Sequence, residues 1–206
     1  MIYMFYTVKK ETLLTMKVKI CGINDAVFAA EAVRLGVDYL GFIFEPSSPR
    51  FVTPEKAAEI VSSLDAPLRR RVRRVGVFVR ESPAQIIATM RRTGLDVVQL
   101  HRRASSEDVA ALKHAGYEVW TLAGGAEGDG VLFDSSHGDG DTAFRIGNYK
   151  SIIAGRIGVE NVANALALKP DIIDVNSSIE TEPGVKSTIL LAAFLAEFVK
   201  HLKPDA

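Results

Sequence analysis

Short apolar runs and helix-spaced apolar stretches alternate almost without interruption along this chain. That alternation constrains the fold more than any other feature, because parallel strands need long crossovers and a helix is the usual one. The strand-like runs are Lys17–Gly22, Tyr39–Phe44, Val72–Val79, Asp96–Leu100, Glu118–Leu122, Val131–Asp134, Ile152–Ala154 and Ile172–Val175. Between them lie helix signals. Asn24 or Asp25 can cap a helix whose stripe is Phe28, Ala32 and Leu35, closed by Gly36. Thr53-Pro54 and Ser82-Pro83 each supply a cap with proline at the first helical position, and Ser105-Ser106-Glu107-Asp108 starts another helix. Val159–Leu166 follows the seventh strand, and Leu191, Phe194, Leu195, Phe198 and Leu202 form the stripe of a long final helix.

The pattern fails once. Gly124-Gly125-Ala126-Glu127-Gly128-Asp129-Gly130 is too short and glycine-rich for a helix. After the sixth strand, the loop 135–141 leads to a weak helix before Ser151. Eight strands and about seven helices predict an α/β protein, a (β/α)8 TIM barrel lacking its fifth helix. An open doubly wound sheet is the alternative, but eight units without a long crossover suit closure better.

The chain is one domain over 16–206, preceded by an extension over 1–15. Met1–Tyr6 is apolar but has no basic leader or small-residue cleavage site, so an upstream start codon or a loose, functionless tail is expected rather than a signal peptide. Met16, directly before the first strand, is a second candidate start. Twenty-five basic and 25 acidic residues cancel, which argues against a nucleic-acid partner, and no apolar run is long enough to span a bilayer. One cysteine suits a reducing, cytoplasmic setting, and four scattered histidines give no metal-ligand spacing. The run Arg69-Arg70-Arg71-Val72-Arg73-Arg74 precedes the third strand and should form a solvated rim at the amino-terminal end.

Chemistry in such barrels sits at the carboxyl ends of the strands. Cys21 ends the first strand and Asp134 the sixth, so a thiol and a carboxyl can meet over the mouth as base and acid. Each also has a bland role, as buried hydrophobe and as turn former. Arg50, in a loop stiffened by Pro46 and Pro49, could grip a carboxylate, or lie solvated at the surface. Gln99 and His101 alternate along the fourth strand and share a side, as functional or as core groups. Gly155, Arg156, Asn176, Ser177 and Ser178 follow the last two strands, where barrels commonly bind phosphate through backbone N–H groups. Gly138-Asp139-Gly140-Asp141 is weaker, since its aspartates repel an anion. Lys19, one layer below Cys21, is expected to pair with Asp174 on the eighth strand, which abuts the first on closure.

Val18-Lys19-Ile20-Cys21-Gly22-Ile23, Gly41-Phe42-Ile43-Phe44 with Ser48 and Arg50, Val75–Val79, Val98-Gln99-Leu100-His101, Leu132-Phe133-Asp134 and Glu182-Pro183-Gly184-Val185-Lys186 together resemble the phosphoribosylanthranilate isomerase family of tryptophan biosynthesis, in the family's order. The resemblance runs from about Met16 to the C-terminus. It implies a cofactor-free Amadori rearrangement of a small-molecule phosphosugar, with Cys21 as general base and Asp134 as general acid. It also implies that Arg50 holds the anthranilate carboxylate. Gln99, His101 and Asp174 are further candidates for contact with the substrate. Monomer and homodimer both remain open. For this role the thiol needs about 2 kcal/mol of thiolate stabilisation, and Asp134 must keep its proton.

The missing fifth helix resembles shorter, archaeal-type members. Departures from the family are Arg156 and Ser178, where glycines are usual, and Arg102 after the strand-four histidine. Arg156 would either replace a backbone contact with charge or block the phosphate site. The alternatives to an active isomerase are a non-catalytic phosphosugar-binding barrel and a related lyase, indole-glycerol-phosphate synthase. The lyase needs a lysine and two glutamates at strand ends that are not found in place.

Overall fold

The computed structural model describes residues 16–135 and 147–202. Eight parallel strands close in sequence order: β1 (Lys17–Cys21), β2 (Tyr39–Ile43), β3 (Arg73–Phe78), β4 (Val97–Leu100), β5 (Glu118–Leu122), β6 (Gly130–Asp134), β7 (Lys150–Ala154) and β8 (Ile172–Val175). Closure is sealed by β1 against β8, with Lys19 opposite Asp174 and Ile20 opposite Val175. The expected barrel is the fold, and the open sheet is excluded.

Strand alternation sorts side chains into two cores. Val18 and Ile20 of β1 face outward into the layer shared with the helices, beside Phe28, Ile60, Val98 and Leu191. The other parity fills the cylinder: Cys21, Val75, Val77, Val97, Trp120, Leu132 and Ile152 pack there together.

The outer ring holds α1 (Ala26–Arg34), α2 (Pro54–Ser63), α3 (Ala66–Arg71), α4 (Pro83–Thr93), α5 (Ser106–His114), α6 (Val162–Ala167) and α7 (Thr188–Leu202). Caps act where the sequence placed them: Asp25, Thr53, Ser82 and Ser105 each accept a backbone N–H of the first turn. No helix lies between β5 and β6, as the glycine run required.

Two elements were not expected. Asp65 caps the short α3 through the Leu68 N–H, with Pro67 in its first turn, so Arg69–Arg71 form that helix's last turn. After β8, a 3-10 turn (Ser177–Ile179) leads into a hairpin of β9 (Glu180–Glu182) and β10 (Val185–Lys186). The helix after β7 begins at Val162 rather than Val159, because Asn161 Oδ1 accepts the Gly158 N–H and holds that stretch as a loop. The glycine–aspartate run 138–141 and the weak helix before Ser151 fall mainly outside the described residues, as does the extension over 1–15.

The arginine run does lie at the amino-terminal end, yet it is not simply solvated. Arg74 forms a two-pronged pair with Asp96, at 2.6 and 2.6 Å, and Arg73 pairs with Glu118. A cleft of about 510 Å³ among Ala66, Arg69, Arg70, Val72, Arg73, Arg74 and Asp96 opens there, at the end remote from Cys21.

Glu118 closes the amino-terminal floor of the cylinder. It accepts hydrogen bonds from Lys150 (2.5 Å), the Trp120 indole (2.7 Å) and Arg73. Burial raises its pKa, but these donors outweigh burial and bring it down to about 2. A depressed carboxyl contributes stability above its unfolded pKa, and this is lost as pH falls through the folded value. Glu118→Gln should therefore cost up to about 3 kcal/mol at pH 7. The gap to wild type should close between about pH 4.5 and pH 2. Urea melts across that range check this, and a pH-independent gap would refute it.

Candidate active site

The mouth is built from β1 upward. Cys21 ends the strand facing the interior, and Gly22 turns the chain away at φ +76°, a region glycine enters freely. Gly41 on the neighbouring strand leaves room for the thiol: a Cβ there would sit 3.0 Å from Cys21 Sγ and 3.2 Å from Lys19 Cε.

One layer below, Lys19 Nζ donates to Asp174 Oδ2 at 2.6 Å, with the lysine side chain wholly buried. The expected pair is formed. Burial works against the Lys19 charge, but Asp174 and then Cys21 outweigh it and hold its pKa above the ordinary lysine value. Burial also pushes Asp174 upward, against the pull of Lys19. The two shifts favour different protonation states for the carboxyl. The 2.6 Å contact decides for the ionised pair, since a neutral acid would leave a buried ammonium uncompensated.

Burial raises the Cys21 pKa, and Asp174 adds to that, against the lowering by Lys19 and Lys186. The expected thiolate stabilisation is thus not present in the free protein. The physical reason is burial first, which outweighs the pull of Lys19, and then Asp174, which pairs with that lysine and adds its own negative charge.

Asp134 ends β6 two residues beyond Leu132, which lies in the interior core, so it too faces the mouth. Its Oδ2 lies 3.9 Å from His101 Nε2, and its charge is felt at Asp174. Gln99 on β4 is buried, with Oε1 accepting no hydrogen bond from a described residue, and Asp174 Oδ1 is in the same condition. Two unsatisfied buried acceptors at one mouth suit a ligand that brings hydroxyl donors.

Arg50 is not a free guanidinium. Its Nε and Nη2 donate to Glu180 Oε1 and Oε2 at 2.8 and 2.6 Å. Glu180 also accepts from Lys186 Nζ at 2.7 Å, and Lys186 reaches Asn176 Oδ1 (2.7 Å) and its carbonyl (3.0 Å). Glu180 and Lys186 are the members of this charge group to which the sequence alone assigns no role. The signal was present: opposite charges flank Pro183-Gly184, and in the hairpin they stand directly across from each other.

The late loops come together as anticipated. A Cβ on Gly158 would lie 2.8 Å from Ser178 Cβ, and Ser178 Oγ donates to the Ile157 carbonyl. Ser177 lies in the same turn. Gly155 sits at φ +111° against Ser135. Arg156 occupies the left-handed region at φ +54°, and Asn161 Nδ2 donates to its carbonyl at 3.2 Å. The glycine usual in the family would carry no strain there. Asn176 turns toward Lys186 and Gly22. Arg102 is drawn to Asp108 of α5 at 2.6 Å.

A closed eight-stranded cylinder with a thiol, carboxyls and cations gathered at its carboxyl-end mouth is a TIM barrel. The family model for N-(5'-phosphoribosyl)anthranilate isomerase matches residues 18–197. The curated isomerase of Granulibacter bethesdensis is 33% identical, over 89% of this chain and 98% of its own. The crystal structure of phosphoribosyl anthranilate isomerase from Thermus thermophilus is 32% identical, with TM-score 0.78 over 90% of this chain and 99% of that one. A second isomerase structure, in complex with reduced 1-(o-carboxyphenylamino)-1-deoxyribulose 5-phosphate, is 28% identical with TM-score 0.78, over 90% and 99% of the two chains. This chain belongs to the N-(5'-phosphoribosyl)anthranilate isomerase family.

Proposed function

We propose that the protein catalyses the cofactor-free Amadori rearrangement of N-(5-phosphoribosyl)anthranilate to 1-(2-carboxyphenylamino)-1-deoxyribulose 5-phosphate. The observation that carries this reading is the shared orientation of Cys21 and Asp134, both facing the barrel interior at the carboxyl ends of their strands.

Asp134 donates its proton to the furanose ring oxygen. The bond from that oxygen to C1 breaks, and the anthranilate nitrogen lone pair forms the C=N bond of an iminium ion. The cation acidifies the C2 proton, which the Cys21 thiolate removes to give an enolamine. Tautomerisation then moves the enol proton to C1 and leaves the C2 ketone. Gln99 Oε1 and Asp174 Oδ1 accept from the sugar hydroxyls, with His101 alongside Asp134. Arg50 takes the anthranilate carboxylate. The phosphate lies between the loops after β7 and β8, against Gly155, Arg156, Ser177 and Ser178, with Asn176 tying that end to Lys186.

No cluster among the described residues could hold a metal ion, and none of these steps calls for one. Also among the described residues, no helix is long and apolar enough to cross a membrane. The lone thiol supports a cytoplasmic setting. We take the absence of a helix between β5 and β6 to mean a compact form like the archaeal members.

The test is loss of anthranilate fluorescence on mixing purified protein with the phosphoribosyl substrate. Stoichiometric signal loss without turnover would indicate a binding protein, and no change at all would defeat the reading.

A further inference from the structure

An arginine has two edges on which a carboxylate can make paired hydrogen bonds, one through Nε and Nη2 and the other through Nη1 and Nη2. In Arg50 the first edge is taken by Glu180, whose side chain is 3% exposed. The second edge donates to no described residue, and 18% of the Arg50 side chain remains open to solvent.

We propose that Glu180 is the positioning residue that makes the site selective for a carboxylate-bearing substrate, by fixing Arg50 through one edge and leaving the other to bind. This rests on the function proposed above and names the device behind its carboxylate recognition. Three observations support it.

First, the guanidinium is held against the catalytic strand. A Cβ on Gly22 would lie 2.7 Å from Arg50 Cδ, so the stem runs directly over the residue after Cys21. Second, the charges add correctly. Glu180 alone would neutralise Arg50 and remove its attraction for a second carboxylate. Lys186, 2.7 Å from Glu180 and 1% exposed, restores one net positive charge to the group. Third, the hairpin carrying Glu180 and Lys186 is braced by the first two loops. Asn24 Nδ2 donates to the Gly184 carbonyl at 2.9 Å, and Gly184 packs so closely on Pro49 O that a Cβ would approach to 2.6 Å.

The test compares two substrates, phosphoribosylanthranilate and the carboxylate-free phosphoribosylaniline, in wild type, Glu180→Gln, Arg50→Lys and the double variant. One charge-assisted hydrogen bond is worth about 1.5–3 kcal/mol, so Glu180→Gln should raise KM for the anthranilate substrate at least about tenfold, with kcat changed less than about threefold. For the aniline substrate kcat/KM should stay within about threefold. The double variant should be no worse than Arg50→Lys alone, since Glu180 acts through Arg50.

Equal losses on both substrates, or an unchanged KM for the anthranilate, would overturn the proposal. Should Glu180→Gln fail to fold, Glu180→Asp decides the matter: it keeps the charge but withdraws it by one methylene, and the same selectivity loss is expected. Failure of the functional reading looks different, because wild type would then turn over neither substrate.

Discussion

Cys21→Ala is expected to lower kcat by about 10²–10⁴, and Asp134→Asn by a similar factor, with KM little changed. Each removes a group proposed to transfer a proton and leaves the proposed binding groups in place. Steady-state fluorescence kinetics measure both, and either variant turning over at the wild-type rate would remove that residue from its role. A pH profile adds a second, independent check. Burial holds the Cys21 pKa above its ordinary value, so the proposed base is mostly the neutral thiol at neutral pH. Only the thiolate can accept the C2 proton. Log kcat/KM, which reports the free enzyme, should therefore climb with pH through neutrality and level off only beyond the ordinary thiol range of about 8.5. A plateau already reached at pH 7 would mean that the thiol is more acidic than its surroundings allow.

Lys19→Met is expected to destabilise the fold by about 3–5 kcal/mol, because it strands the Asp174 carboxylate beside the interior without its partner. Asp174→Leu should cost a comparable amount by stranding the ammonium. The double variant should recover most of the loss, since an apolar pair has no charge to desolvate. Urea titrations of the four proteins close this cycle. If the two single losses simply add, the pair is not the coupled unit its 2.6 Å contact describes.

Most of the barrel could be read from the sequence because its signals are local. Asp25, Thr53, Ser82 and Ser105 cap helices wherever the chain goes. The parity of Lys19 and Cys21 fixes which face they share, and closure then brings Asp174 alongside. What escaped depends on partners distant in sequence. Arg50 and Glu180 are 130 residues apart, and nothing near Arg50 announces that its guanidinium is occupied. Likewise, the Cys21 expectation counted one favourable cation and omitted both the burial and the carboxylate that neutralises that cation. The short α3 was missed for another reason: Asp65-Ala66-Pro67 is an ordinary cap signal, overshadowed by the arginines that follow.

The seam between β1 and β8 has a temporal consequence. The first strand carries the thiol, yet its charged neighbour and the clasp on Arg50 come from Asp174, Glu180 and Lys186, synthesised long after it. A nascent chain stopped before residue 172 would leave the cylinder unzipped and the guanidinium unanchored. Completion of the ring and assembly of the mouth therefore arrive together.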